Sequence, residues 1–197
     1  MDKHEAGYLG RLRIVERQEE TLFSTHQGCD HIFFVGFMGA GKTTVARNLG
    51  TLFKRRFMDT DKLVARYAKT PVAQLYKERG VEGYRLLETE VLKTLRREKS
   101  CLISCGDGIV EREENLQLFK EMGKVVFLDI SLQDALLQIK AREHRPLLGS
   151  YDQTRDLYLA RRPLYASVAD YAVEVSSFEF EQVAYRVGEL LWDEGLL

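Results

Sequence analysis

Residues 33–50 read FFVGFMGAGKTTVARNLG: an apolar run breaks into glycines, a lysine and two threonines follow, and a helical pattern begins. Gly36, Gly41, Lys42 and Thr43 stand in the order G-x-x-x-x-G-K-T, the pattern of a phosphate-binding loop between a strand and a helix. Glycines let the backbone turn through positive φ and bring its N–H groups onto phosphate oxygens. The helix that follows points its positive end at the same phosphates. Lys42 brings a mobile charge to the outer phosphates, and Thr43 a hydroxyl to Mg2+. A chance glycine-rich turn would not come with the strand before it and the helix after it. The segment therefore predicts an ATP and Mg2+ site, with Gly39, Ala40, Gly41, Lys42, Thr43 and Thr44 around the phosphates.

Outward from this loop, strand and helix patterns alternate. HIFFVG (31–36) is a strand and 42–53 a helix; RRFMDTD (55–61) is a strand ending in carboxylates. Residues 62–98 are helical in pattern, broken at 70–71 and near Gly80. CLISCGDG (101–108) is a strand running into a turn, KVVFLDI (124–130) the next strand and 131–142 a helix. A helix over 152–168, a strand YAVEVS (171–176) and a helix over 178–192 complete the chain. Such alternation predicts a parallel sheet covered by helices on both faces. Ligands of such sheets bind beyond the carboxyl ends of the strands, where Gly36, Asp59 and Gly106 are expected. The pattern leaves residues 1–30 as an N-terminal arm and 31–197 as one domain, since no linker or repeat interrupts it.

The chain has 197 residues, 45% hydrophobic and 30% charged, with a net charge of −1. No global basic field marks it as a nucleic-acid binder. No apolar run approaches the ~18–20 residues that span a bilayer, and MDKHEAGYLG at the start is too charged for a secretory signal. These features point to a cytoplasmic protein acting on a small molecule, without a membrane partner. Cys29, Cys101 and Cys105 are too few and too odd in number for a disulfide framework, and they lack partners in metal-ligand spacing.

FMDTD sets Asp59 and Asp61 two apart, so at a strand end both carboxylates face one cleft. One can support Mg2+ through water and the other can take a proton or hydrogen bond from an attacking hydroxyl. Helix-capping aspartates in a solvated turn would show the same spacing, and from these residues alone the two readings stand even.

GFMGAGKTT, FMDTD, GYRLLE, CGDG, HRPLL and ARRPLY follow one another at separations that resemble those of the shikimate kinases over residues 31–176. The resemblance implies a P-loop kinase fold, a five-stranded parallel sheet in the order 2-3-1-4-5, and a monomer that phosphorylates shikimate at the expense of ATP. It implies that Lys42 contacts the transferred phosphate, that Thr43 ligates Mg2+ and that Asp59 supports the ion through water. Asp61 would hold the ring hydroxyls and assist deprotonation of the attacking one. Arg85 and Arg161 would bind the substrate carboxylate, beside Gly106, Asp107 and Gly108. Arg145 would sit on a lid over ATP, within residues 142–155. A guanidinium fork suits a carboxylate, and a closing Arg145 would add charge and exclude water. Taken without the resemblance, Arg85 is as well explained by pairing with Glu82 or Glu88 on its own helix, and Arg161 with Arg162 by a solvated face near Asp156 or Asp170.

Two positions depart from the family pattern. Gln138, near Lys140 and Arg142, takes the place of the arginine expected against adenine. Asp107 takes the place of the middle one of three glycines. A carboxylate aimed into the cleft would repel an anionic substrate: like charges ~4 Å apart at an effective dielectric of ~20 differ by about 4 kcal/mol from no charge. The expectation is a shikimate-type kinase of reduced efficiency, in a turn where positive φ tolerates Asp. A kinase of an amino analogue of shikimate or of gluconate, or a catalytically weak nucleotide-binding module, are the alternatives.

Overall fold

The computed structural model describes residues 30–139, 150–176 and 178–197. The expected arm up to residue 29, Cys29, Lys140, Arg142, Arg145 and most of the expected lid lie outside the described residues.

The strands are β1 (His31–Val35), β2 (Phe57–Asp59), β3 (Leu102–Ser104), β4 (Gly123–Asp129) and β5 (Tyr171–Glu174). All neighbours pair in parallel in the order β2-β3-β1-β4-β5. Every residue of β1 is buried, as a central strand covered on both faces requires, and this is why HIFFV carries no polar alternation. The chain leaves β1 toward β2 and β3 on one side, while β4 and β5 lie on the other. The loop after β1 therefore opens at the point where strand order reverses.

Helices α1 (Lys42–Leu52), α2 (Thr60–Ala68), α3 (Val72–Thr94), α4 (Glu113–Met122), α5 (Leu132–Gln138), α6 (Tyr151–Val168) and α7 (Phe180–Asp193) cover the sheet. Short 3-10 turns lie at Leu95–Arg97 and Ile109–Glu111. The helix starts follow from local chemistry. Asp59 accepts from the Lys62 N–H at 3.2 Å, and Ser131 from that of Asp134 at 3.1 Å; Ser150 and Gln153 form a reciprocal capping box. The expected breaks at 70–71 and Gly80 are both present. Pro71 precedes α3, and Gly80, at φ 68° and ψ −175°, interrupts it.

Two details differ from the sequence reading. α4 was not expected, although Leu118, Phe119 and Met122 on it are buried at helical spacing behind an acidic first turn. β2 is shorter than 55–61, so Asp59 ends the strand and Asp61 belongs to the first turn of α2. Of the helix expected over 131–142, the described part is α5.

The main apolar core surrounds β1, β3 and β4. A second, smaller cluster of Val64, Leu75, Tyr84, Leu87 and Val91 joins α2 to α3. Cys101 and Cys105 are buried free thiols. His31, also buried, ties the edge of the core together. Its Nδ1 accepts from the Cys101 N–H at 3.1 Å, which leaves the proton on Nε2 to be donated to the Leu95 carbonyl at 3.0 Å. Burial lowers its pKa from the ordinary value.

Candidate active site

A cavity of about 500 Å3 opens at the carboxyl ends of the strands. The loop 36–41, the starts of α1 and α2, α3, the turn after β3 and α6 contribute its walls. Of the expected residues, Gly39, Gly41, Lys42, Thr43, Thr44, Asp59, Asp61, Arg85, Asp107, Gly108 and Arg161 line it. Ala40 is buried in the main core behind the loop, and Gly106 is buried in the turn after β3.

At the phosphate end, Gly39 and Gly41 have φ of 87° and 83°, conformations that side chains with a Cβ rarely adopt. Lys42, 8% exposed, uses all three ammonium protons. It donates to the Gly36 carbonyl at 2.7 Å, the Phe37 carbonyl at 3.1 Å and Asp107 Oδ1 at 2.6 Å. The Thr43 hydroxyl donates to Asp59 Oδ2 at 3.1 Å and lies 3.0 Å from Ser104 Oγ. Thr43, Asp59 and Ser104 thus bring hard oxygen donors together, as a magnesium site needs. Among the described residues there is no cluster of three or more His, Cys, Asp or Glu able to hold a metal by itself.

At the far end, Asp61 Oδ1 accepts from the Tyr84 hydroxyl at 2.9 Å, and the Tyr84 ring stacks on Tyr76 at 4.3 Å. Burial raises the Asp61 pKa, and the Asp107 charge raises it further against the Tyr84 hydrogen bond. Arg85 donates from Nη1 to Glu88 Oε2 and from Nε to Glu111 Oε2, each at 2.6 Å. Arg161 donates from Nε to the other Glu111 oxygen at 2.6 Å. One carboxylate therefore spans both arginines. Burial would lift the Glu111 pKa, but Arg161 and Arg85 bring it below the usual range. Burial pushes Glu88 up to about 7 against the pull of Arg85. Arg85 Nη2 and Arg161 Nη1 are buried with no hydrogen-bond partner among the described residues. Gly108 is packed so close that a Cβ there would fall 1.7 Å from Arg85 Nη2. A Cβ at Gly106 would fall 2.6 Å from Asp61 Oδ1 and 2.7 Å from Glu88 Oε1.

Asp107 lines the cavity as expected, but is neither unpaired nor in a turn of positive φ. Its carboxylate pairs with Lys42 at 2.6 Å. Arg85 makes the expected pair with Glu88 and also lines the cavity wall. For Arg161 the partner is Glu111 rather than Asp156 or Asp170. Arg162 does take the outward role, bridging to Asp129 at 2.6 Å. Gln138 lines a separate hollow of about 170 Å3 with Leu137, Val175 and Phe178, which shares Gly39 with the main cavity.

Sequence reasoning missed Glu111, Ser104, Tyr76 and Tyr84. Glu88 lies within GYRLLE three residues after Arg85 and four after Tyr84, helical spacings that signal a shared face. Glu111 carries no such signal, because the 3-10 turn that aims it follows no periodic pattern.

The shikimate kinase family model matches residues 38–192. A shikimate kinase of Dictyoglomus turgidum is 32% identical over 166 residues, covering 82% of this chain and 96% of that one. One from Cupriavidus pinatubonensis is 35% identical over 163 residues, 81% of this chain and 85% of its own. Among solved structures, the shikimate kinase of Acinetobacter baumannii in complex with shikimate superposes with a TM-score of 0.79 at 31% identity, covering 87% of this chain and 97% of that one. The shikimate kinase of Aquifex aeolicus gives 0.71 at 30% identity, covering 84% and 98%. These matches, by sequence and by fold, span most of the described residues: the chain belongs to the shikimate kinase family, enzymes that use ATP to phosphorylate shikimate.

Proposed function

We propose that this protein transfers the outer phosphate of ATP to a hydroxyl of shikimate, acting as a monomer, and that the residues gathered around the 500 Å3 cavity do the work. The observation that carries the reading is the pair of buried nitrogens, Arg85 Nη2 and Arg161 Nη1, without a partner among the described residues, on side chains that line the same cavity as the half-buried Asp61. Buried donors without partners cost free energy, and a substrate carboxylate is the group that relieves two guanidinium nitrogens at once. Glu111 fixes the two arginines by their Nε atoms, so the remaining nitrogens are set before the substrate arrives.

Asp61 then faces the ring hydroxyls. Its pKa is raised, chiefly by burial, which strengthens the carboxylate as a base toward the attacking hydroxyl. Lys42 and the loop amides hold the phosphates, where catalysis is chiefly positioning and neutralisation of charge. Thr43 and Asp59, with Ser104 beside them, would hold Mg2+, which supplies positive charge to the phosphates when bound.

The experiment is an assay of ADP release with ATP and Mg2+ over shikimate, its amino analogue and gluconate. Shikimate is expected to be the best acceptor, and Lys42→Ala is expected to abolish turnover in a folded protein. Preference for another acid would replace the acceptor, and normal turnover of folded Lys42→Ala would remove Lys42 from the chemistry.

A further inference from the structure

Among the described residues, Lys42 and Asp107 form the most enclosed contact between a cation and an anion at the phosphate end of the cavity: 2.6 Å, with side chains 8% and 13% exposed. The two other ammonium protons of Lys42 go to carbonyls of the phosphate loop itself. The third is therefore the one that a phosphate oxygen can claim, and Asp107 holds it. We propose that Asp107 is a built-in stand-in for phosphate, so that a nucleotide enters only by exchanging places with its carboxylate on Lys42. The proposal deepens the reading above and rests on Lys42 being the phosphate ligand.

The turn that carries Asp107 is pinned at its backbone. The Asp107 carbonyl accepts from the Tyr165 hydroxyl at 2.5 Å, and the Gly106 N–H donates to Thr60 Oγ1 at 2.8 Å. The Glu111 N–H donates to the Gly108 carbonyl at 3.0 Å. With the backbone held, the exchange is a rotation of one side chain, and the turn stays in place. The pair also answers a need of the empty protein. A buried ammonium without a counter-charge is costly, and Asp107 supplies that charge until the phosphates do. The exchange has an energetic consequence for the nucleotide. A seat that is free one-tenth of the time weakens apparent affinity about tenfold. The carboxylate released from Lys42 also lies within the electrostatic reach of Asp61, so like charge opposes its retreat toward the acceptor.

The test is calorimetric titration of the full chain with ATP, ADP and adenosine, with Mg2+ and without acceptor. Asp107→Asn removes the charge and keeps the shape; Asp107→Gly removes the side chain. Both are expected to bind ATP and ADP about tenfold or more tightly than the parent, with adenosine, which lacks phosphate, unchanged. Unchanged or weaker ATP binding in both variants overturns the proposal, as does an equal gain for adenosine. In the parent protein, the carboxyl-carbon resonance of Asp107 is expected to shift on adding ADP but not on adding adenosine. A resonance indifferent to ADP overturns it without any substitution. Lys42→Ala separates the two levels of inference. If it binds ATP like the parent, the assignment of Lys42 fails. If it binds weakly while the Asp107 variants show no gain, only the stand-in fails.

Discussion

Lys42, Asp61, Arg85 and Arg161 each sit in the cavity wall with a partner already in place. A ligand therefore meets charges whose directions are set. For the arginines, the expected result of Arg85→Ala or Arg161→Ala is a loss of acceptor affinity worth about 2–5 kcal/mol, because the truncated group leaves a buried charge without its partner. Nucleotide affinity, titrated separately, should change far less; equal losses for both ligands would mean that these side chains only hold helices together. For Asp61, the base form is the carboxylate, and its pKa lies above the ordinary 3.8. Activity is thus lost as pH falls through that raised value, and the acid limb of kcat/KM is expected above the ordinary aspartate range. Asp107→Asn removes one of the charges that raise it, so the limb should move to lower pH. Asp61→Asn should lower kcat more than it changes nucleotide binding. The identities of these four residues could be taken from the sequence, since each falls inside a spaced motif. Their partners could not. Asp107 was legible as a departure, but the direction of a side chain on a turn follows from packing, and only the structure shows it meeting Lys42.

The turn from Gly106 to the 3-10 segment Ile109–Glu111 does more than any other element to shape the site. It presents Asp107 to Lys42 and Glu111 to both arginines, and it packs Gly108 against Arg85. Gly108→Ala would place a methyl 1.7 Å from Arg85 Nη2, so the guanidinium must move. A displacement on the order of 1 Å costs about 100-fold in a positioned reaction. The expected outcome is a fall of that order in kcat/KM for the acceptor, with ATP binding retained; an unaffected KM would show that Arg85 does not touch the acceptor. The regular elements on either side were largely readable. Apolar runs gave the strands, and Pro71 and Gly80 marked the interruptions around α3. α4 was missed because its buried residues follow directly on an irregular turn, which hid where its period begins. Asp61 was assigned to a strand end because sequence does not reveal that β2 stops at Asp59 and a helix starts at once.

At the scale of the whole molecule, His31 links β1 to β3 and to the segment after α3 through both ring nitrogens. Protonation would place a second proton on Nδ1, facing the Cys101 N–H. Its folded pKa is lowered from 6.5 by burial, so the contribution is present above about 6.5 and is lost as pH falls through the lowered value. Thermal midpoints measured from pH 7.5 to 5 should fall on the acid side. His31→Gln, which has no such titration, should flatten that part of the curve; parallel curves would exclude His31 as the cause. The order of the strands came from the motifs as a set, since no single strand carries it.

The two separate apolar clusters have a consequence for how the protein opens. Val64, Leu75, Tyr84, Leu87 and Val91 hold α2 against α3, while the phosphate loop and α1 belong to the core around the sheet. Clusters that share few side chains melt as separate cooperative units. Amide hydrogen exchange at low denaturant should release α2 and α3 with one free energy and the sheet with a higher one; a single common value would mean one unit. On that outcome Arg85 and Glu88, on α3, would travel with the weaker unit, and Lys42 and Thr43, on α1, with the stronger. A fold divided in this way would forget its acceptor while still remembering its nucleotide.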